Sequence, residues 1–111
     1  MALTMNSSVH GNTARLQLAG EVDGTTAPLF RAEVDKLLNS SPHILVLRVD
    51  ELTFMSSAGL RVLIFAKQKQ PTLNIYVVKP QAPIVDTLRK TGFYDGVYVT
   101  EDEPDSGIPA A

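Results

Sequence analysis

The chain has 111 residues, 44% of them hydrophobic and 20% charged, the length and composition of one domain that buries its own core without staples. It contains no cysteine, which excludes disulfide frameworks, thiolate metal sites and cysteine nucleophiles and fits a reducing, cytoplasmic location. Ten basic and twelve acidic residues give a formal charge of -2, without the clustered Lys and Arg that a nucleic-acid backbone requires.

Apolar runs such as Ile44 to Leu47 and Val62 to Ala66 are far shorter than the roughly 20 residues that cross a bilayer, and no basic segment followed by an apolar one opens the chain. Neither a nucleic-acid nor a membrane partner is therefore expected, and the residues call for no cofactor or metal.

In chain order, Leu3, Met5 and Val9 suggest a first strand, turned through His10-Gly11-Asn12 into a second. Thr13 to Ala19 alternates, with Ala14, Leu16 and Leu18 on one face and Arg15 and Gln17 on the other, the pattern of a half-buried strand. Phe30, Val34, Leu37 and Leu38 then recur at helical spacing, so a helix is expected over Ala27 to Leu38, with Thr25 or Thr26 at its cap and Pro28 in its first turn. Ile44-Leu45-Val46-Leu47 is apolar on both faces, as suits a central strand.

A second helix is predicted from Ala58 to about Gln70, closed by Pro71, and Leu73 to Val78 reads as a further strand. Ile84, Val85 and Leu88 mark a short third helix stopped at Gly92, with Phe93 packing back. Val97 to Val99 fits an edge strand. Glu101 to Ala111, with four acidic residues, two prolines and no aromatic, is expected to be a disordered acidic tail. The resulting fold class is α/β: one domain over residues 1–100, a mixed sheet of four to five strands with about three helices, in the order β-β-α-β-α-β-α-β.

The stretch Asp50-Glu51-Leu52-Thr53-Phe54-Met55-Ser56-Ser57-Ala58-Gly59-Leu60 leaves the central strand and enters the second helix. Such a turn presents side chains and free backbone N–H groups at one rim of a sheet, where a helix start favours negative charge. By capping preference alone, Ser56 or Ser57 is an N-cap.

The wider pattern resembles the STAS family, the sulfate-transporter and anti-sigma-factor-antagonist domains. Asp50, Phe54, Met55, Ser57, Gly59 and Leu60 match the offsets of that family's motif, Gly20-Glu21-Val22-Asp23 resembles its Gly-Glu-Leu-Asp, and Thr91-Gly92-Phe93 its close. Ser56 departs from the pattern where many single-domain antagonists have Asp, as does Ala58 where many have a second Ser.

The resemblance implies a protein that binds a serine kinase acting as an anti-sigma factor, is phosphorylated on Ser57, is released, and is reset by a serine phosphatase. It implies a ligand and substrate rather than an enzyme. The docking surface would comprise Glu21, Asp23, Met55, Ser56, Ser57, Ala58, Gly59 and Leu60, with Met55 as the exposed apolar residue. For Glu21 and Asp23 two readings stay open, partner contact and turn chemistry. A STAS regulator or scaffold that binds a non-sigma partner, without phosphorylation, is the alternative function.

Other chemistries lack their parts. A receiver domain needs paired acids after the first strand, and only Asp50 and Lys79 imitate its site. A serine hydrolase needs Gly-x-Ser-x-Gly and a base in reach, whereas Ser57 lies in Met-Ser-Ser-Ala-Gly and the two histidines, His10 and His43, sit at a turn and a strand entrance. Neither a phosphate-binding Walker loop nor Gly-x-Gly-x-x-Gly occurs.

Overall fold

A hairpin opens the fold. Strands β1 (Leu3–His10) and β2 (Thr13–Val22) pair antiparallel from Leu3 against Gly20 to His10 against Thr13. The two-residue loop between them needs a positive φ at its first position, which Gly11 supplies at 56°. The computed structural model describes residues 2–103 of the chain.

Helix α1 (Ala27–Leu38) follows, then β3 (Ile44–Met55), α2 (Ser57–Lys69), β4 (Asn74–Val78), α3 (Ala82–Lys90), a single 3-10 turn over Phe93–Gly96, and β5 (Tyr98–Thr100). The five strands lie in sequence order, antiparallel only between β1 and β2 and parallel thereafter. This is the expected α/β element order, with β3 in the centre of the sheet.

Three parallel crossovers that all step the same way and share the usual right hand must put their helices on one face. The packing agrees. Ala14, Leu16 and Leu18 of β2, Leu45, Leu47 and Val49 of β3, and Ile75 and Val77 of β4 form one core with Phe30 and Val34 of α1, Leu60 and Leu63 of α2, and Ile84 and Leu88 of α3.

The other sheet face carries no helix among the described residues. Val46 and Val78 are buried there outside the core, beside Arg15, Arg48 and the stacked rings of Tyr76 and Tyr98, 4.8 Å between centroids. Long amphipathic side chains can cover apolar neighbours in this way. The two-sided apolar run at Ile44 to Leu47 therefore reflects helices on one side and a layer of long side chains on the other.

The main departure from the sequence reading is the length of β3. It continues eight residues past Leu47, to Met55, because β2 also runs on and keeps pairing with it: Ala19 with Glu51, Gly20 with Leu52, Glu21 with Phe54 and Val22 with Met55. Register shifts at Gln17/Ala19 and Gly20/Glu21 break the simple alternation, and with it the pattern that would have announced the extension.

The start of the expected tail is placed. Glu103 pairs with both Arg15 and Arg48. The remainder of that tail, 104–111, lies outside the described residues. No helix among those described is long and apolar enough to cross a membrane.

Candidate functional site

β4 pairs with β3 only from Ile44 to Arg48. Beyond that point the outer edge of β3 has no neighbouring strand among the described residues, and its carbonyls need other donors. Two side chains supply them: Gln81 Nε2, at the N-cap of α3, donates to the Asp50 carbonyl at 2.9 Å, and Thr87 Oγ1 within α3 donates to the Met55 carbonyl at 3.1 Å. The inner edge is fixed by β2, whose Val22 carbonyl accepts from the Ser56 N–H at 2.8 Å. Together these bonds hold the end of β3 at a rim of the sheet.

Ser56 is still extended, with φ -81° and ψ 174°, and stands at the N-cap of α2. Its carbonyl accepts the N–H of Leu60 at 3.2 Å, starting the helix. Its hydroxyl makes no capping bond: Ser56 Oγ is buried and finds no hydrogen-bond partner among the described residues. Ser57, the first helical residue, is exposed. The two serines thus differ in kind, one hydroxyl sealed in and the other at the surface over the helix N-terminus.

Gly59 explains how α2 comes so close to the strand ends. A Cβ there would stand 2.6 Å from Val22 Cγ1 and 2.9 Å from Met55 Cγ, so only glycine lets the first turn of α2 rest on the last residues of β2 and β3. The same contact brings the end of β2 against the end of β3 and the start of α2.

In the loop after β2 Asp23 carries out turn chemistry. Its carboxylate accepts the N–H groups of Thr25 at 2.9 Å and Thr26 at 3.0 Å. Thr26 Oγ1 accepts the Asp23 N–H at 2.9 Å and donates to the Glu21 carbonyl at 2.8 Å. The backbone N–H of Thr26, chief among these bonds, holds the Asp23 carboxyl below its ordinary range against a smaller opposing effect of burial. Of the two readings left open for Asp23, this structure displays the turn.

Met55, expected to be exposed, is buried at 3%. Pairing with Val22 turns it into the core, and the apolar residue at the surface is its neighbour Phe54, 43% exposed. Gly59 and Leu60 are buried as well, so they shape the turn rather than present side chains; Glu21, Asp23, Ser56 and Ala58 are half-buried. Phe54 was missed because the register shifts hide which face each residue of β3 takes.

Arg61 was also missed. It is exposed one turn beyond Ser57 at the i+4 position, where a helix brings two side chains to the same face. Spacing alone signals it. Beside it Gly24, Ala27, Pro28, Arg31, Ala58 and Val62 line a shallow groove of about 230 Å³ between the starts of α1 and α2.

The model of the STAS domain matches residues 4–105, and the chain belongs to that family. Over 68 residues it is 26% identical to the anti-sigma-F factor antagonist RsfB of Mycobacterium tuberculosis, an alignment covering 61% of this chain and 56% of that protein. The chain therefore spans about half the length of the curated relatives it matches.

Two solved structures share the fold. An anti-sigma factor antagonist from Mycobacterium paratuberculosis superposes with a TM-score of 0.80 at 22% identity, covering 91% of this chain and 87% of the other. The anti-sigma factor antagonist SpoIIAA in its unphosphorylated form gives 0.75 at 14% identity, covering 94% and 91%.

Proposed function

We propose that this protein is an anti-sigma factor antagonist that switches partners by phosphorylation of Ser57. Unmodified, it docks through the rim formed by Glu21, Asp23, Phe54, Ser56, Ser57, Ala58 and the turn held by Met55, Gly59 and Leu60 onto a serine kinase that doubles as the anti-sigma factor. That kinase transfers the terminal phosphoryl group of ATP to Ser57 Oγ, leaving ADP and a proton, and the complex separates. A serine phosphatase hydrolyses the ester and restores binding. The chain is ligand and substrate throughout, not catalyst, and such a cycle runs in the cytoplasm.

One observation carries this reading: Ser57 is exposed at the first position of α2 while the neighbouring Ser56 hydroxyl is sealed. A kinase can reach the first and not the second. The names of the relatives support the class of partner.

The charge balance supports a switch rather than an unfolding event. Phosphorylation adds roughly -1.5 to -2 charge. At a helix N-terminus a negative charge is favoured by about 0.3–1 kcal/mol, and Arg61 lies within reach on the same face. A partner surface fitted to a small hydroxyl has to desolvate a dianion instead. A penalty of about 3 kcal/mol there weakens binding roughly a hundredfold.

The test is incubation with ATP and the cognate anti-sigma kinase, followed by mass spectrometry. A single phosphate on Ser57 is expected, and modification solely elsewhere overturns the assignment. Ser57→Ala should fold and bind; Ser57→Asp should fold and bind more weakly. Equal affinity of the two variants would leave a scaffold that binds without phosphorylation.

A further inference from the structure

The face of the sheet opposite the helices carries a charged groove away from Ser57. Arg15 on β2 is paired in register with Val46 on β3, and Arg48 is two residues further along β3 on the same face. Two guanidinium groups on adjacent strands therefore stand diagonally across from each other. They edge a groove of about 410 Å³ whose other walls include Asn6, Ser8 and Gln17.

One carboxylate joins the two. Glu103 Oε1 pairs with Arg15 Nη2, and Glu103 Oε2 accepts from Arg48 Nη1 at 2.9 Å. The path that brings it there is short. β5 is the sheet edge, with Thr100 paired to Val78 on β4, and the three residues from Thr100 to Glu103 reach at most about 10 Å, close to two strand spacings. The chain bends at Glu101 and Asp102, where Thr100 Oγ1 donates to the Asp102 carbonyl at 2.8 Å, and this turn directs the Glu103 side chain onto the sheet face towards β3 and β2.

Asp50 lies 3.4 Å from Arg48 Nε on the same face and steadies that guanidinium. Counting Arg15, Arg48 and Asp50, the groove without Glu103 keeps one net positive charge and two planar donor forks. Such forks match carboxylates, and removing Glu103 leaves Arg48 with Asp50 alone and takes from Arg15 its carboxylate partner among the described residues.

We propose that this groove is a binding site for an acidic peptide segment, occupied in cis by the chain's own Glu103. A partner carrying a comparable acidic stretch gains access when Glu103 is displaced. The Ser57 surface lies at the rim beyond the end of β4 and this one on the sheet face, so neither depends on the other.

The probe is a labelled synthetic peptide with the sequence of residues 101–111, titrated against the full chain and followed by fluorescence anisotropy. A tethered competitor acts at an effective concentration near millimolar, so the unaltered protein should bind weakly and the Glu103→Gln protein about tenfold more tightly. Adding Arg48→Gln to Glu103→Gln should abolish binding, as should replacing Glu103 by Gln within the peptide. Equal binding by the unaltered and Glu103→Gln proteins, or binding indifferent to Arg48, overturns the proposal. Competition by inorganic phosphate as effective as that by unlabelled peptide overturns the assignment to a peptide. A second readout guards against misfolded variants: in the Glu103→Gln protein the Nε–H resonances of Arg15 and Arg48 should both shift, and unshifted resonances refute the contact.

Discussion

Ile44–Arg48 and Asp50–Met55 are halves of one strand held in different ways. The first has β2 on one side and β4 on the other, so strands flank it along both edges and its side chains alternate cleanly. Among the described residues the second has β2 on one side only, and its outer carbonyls at Asp50 and Met55 accept side-chain donors from Gln81, at the N-cap of α3, and Thr87 within it. Regular pairing gives the fold its centre; irregular pairing lets the chain leave the sheet at a rim, with Phe54 and Ser57 at the surface. The difference teaches that the far end of the strand is built from the same core as the rest but fixed by borrowed donors.

If that is right, the second half belongs to the cooperative unit and is no appendage. Leu52 is fully buried, as is Leu47 in the first half. Truncating either to Ala should cost about 2–5 kcal/mol, the usual penalty for a cavity in a packed core. Urea denaturation of Leu47→Ala and Leu52→Ala measures both. A Leu52 penalty below about 1 kcal/mol would break the comparison and make the extension a loosely held arm.

Gly59→Ala probes the contact that ties the rim to α2. The added methyl meets Val22 and Met55 inside the core, and Val22, β-branched and fully buried, has little freedom to move aside. Overpacking of about 1–3 kcal/mol is partly offset by the better helix propensity of Ala, about 1 kcal/mol. The expected net loss is up to about 2 kcal/mol, again from denaturant melts. Because the strain falls where the ends of β2 and β3 meet the start of α2, amide shifts in NMR spectra should move at Asp23 and Ser57 and stay fixed at Leu45 and Val77.

Asp23 gives a smaller, pH-dependent effect. Its carboxyl is held below the ordinary value of 3.8 by the N–H groups it accepts. A depressed folded-state pKa means that the ionised group contributes stability above the unfolded value and loses it as the pH falls through the folded one. The stability gap between the unaltered protein and Asp23→Asn should therefore be constant from neutral pH down to about 5 and close progressively below about pH 4. Melts across this range check it, and a gap that widens on acidification would show the sign to be wrong.

How far these features could be read from the chain follows the same division. Alternation at Ala14, Leu16 and Leu18, helical spacing at Phe30, Val34, Leu37 and Leu38, and the apolar run at Ile44 to Leu47 are local patterns that local physics obeys, so the elements and their order were legible. The extension of β3 was not, because two register shifts erase its period. The exposure of Phe54 in place of Met55 depends on those same shifts. The salt bridges of Glu103 to Arg15 and Arg48 join residues far apart in sequence, and nothing in an acidic, proline-containing stretch indicates where it will lie. Ser57 was singled out by the family motif, and the turn chemistry of Asp23 was one of the two readings its residue type offered; the sealed hydroxyl of Ser56 needed the fold.

That hydroxyl yields the smallest expected effect and the sharpest contrast. A serine at an N-cap usually contributes through its oxygen, and its replacement by Ala costs about 0.5–2 kcal/mol. Ser56 occupies the cap position without the cap bond, and its oxygen is buried with no partner among the described residues. The hydroxyl thus loses its hydration without gaining a bond, and removing it relieves a cost instead of creating one. Ser56→Ala should leave stability within about 0.5 kcal/mol of the unaltered protein, on the favourable side if either. A loss above about 1 kcal/mol in a denaturant melt would mean that the oxygen does cap α2 in solution. The same variant should still accept phosphate, since Ser57 remains at the surface, so Ser56→Ala and Ser57→Ala would match in stability and differ only as kinase substrates.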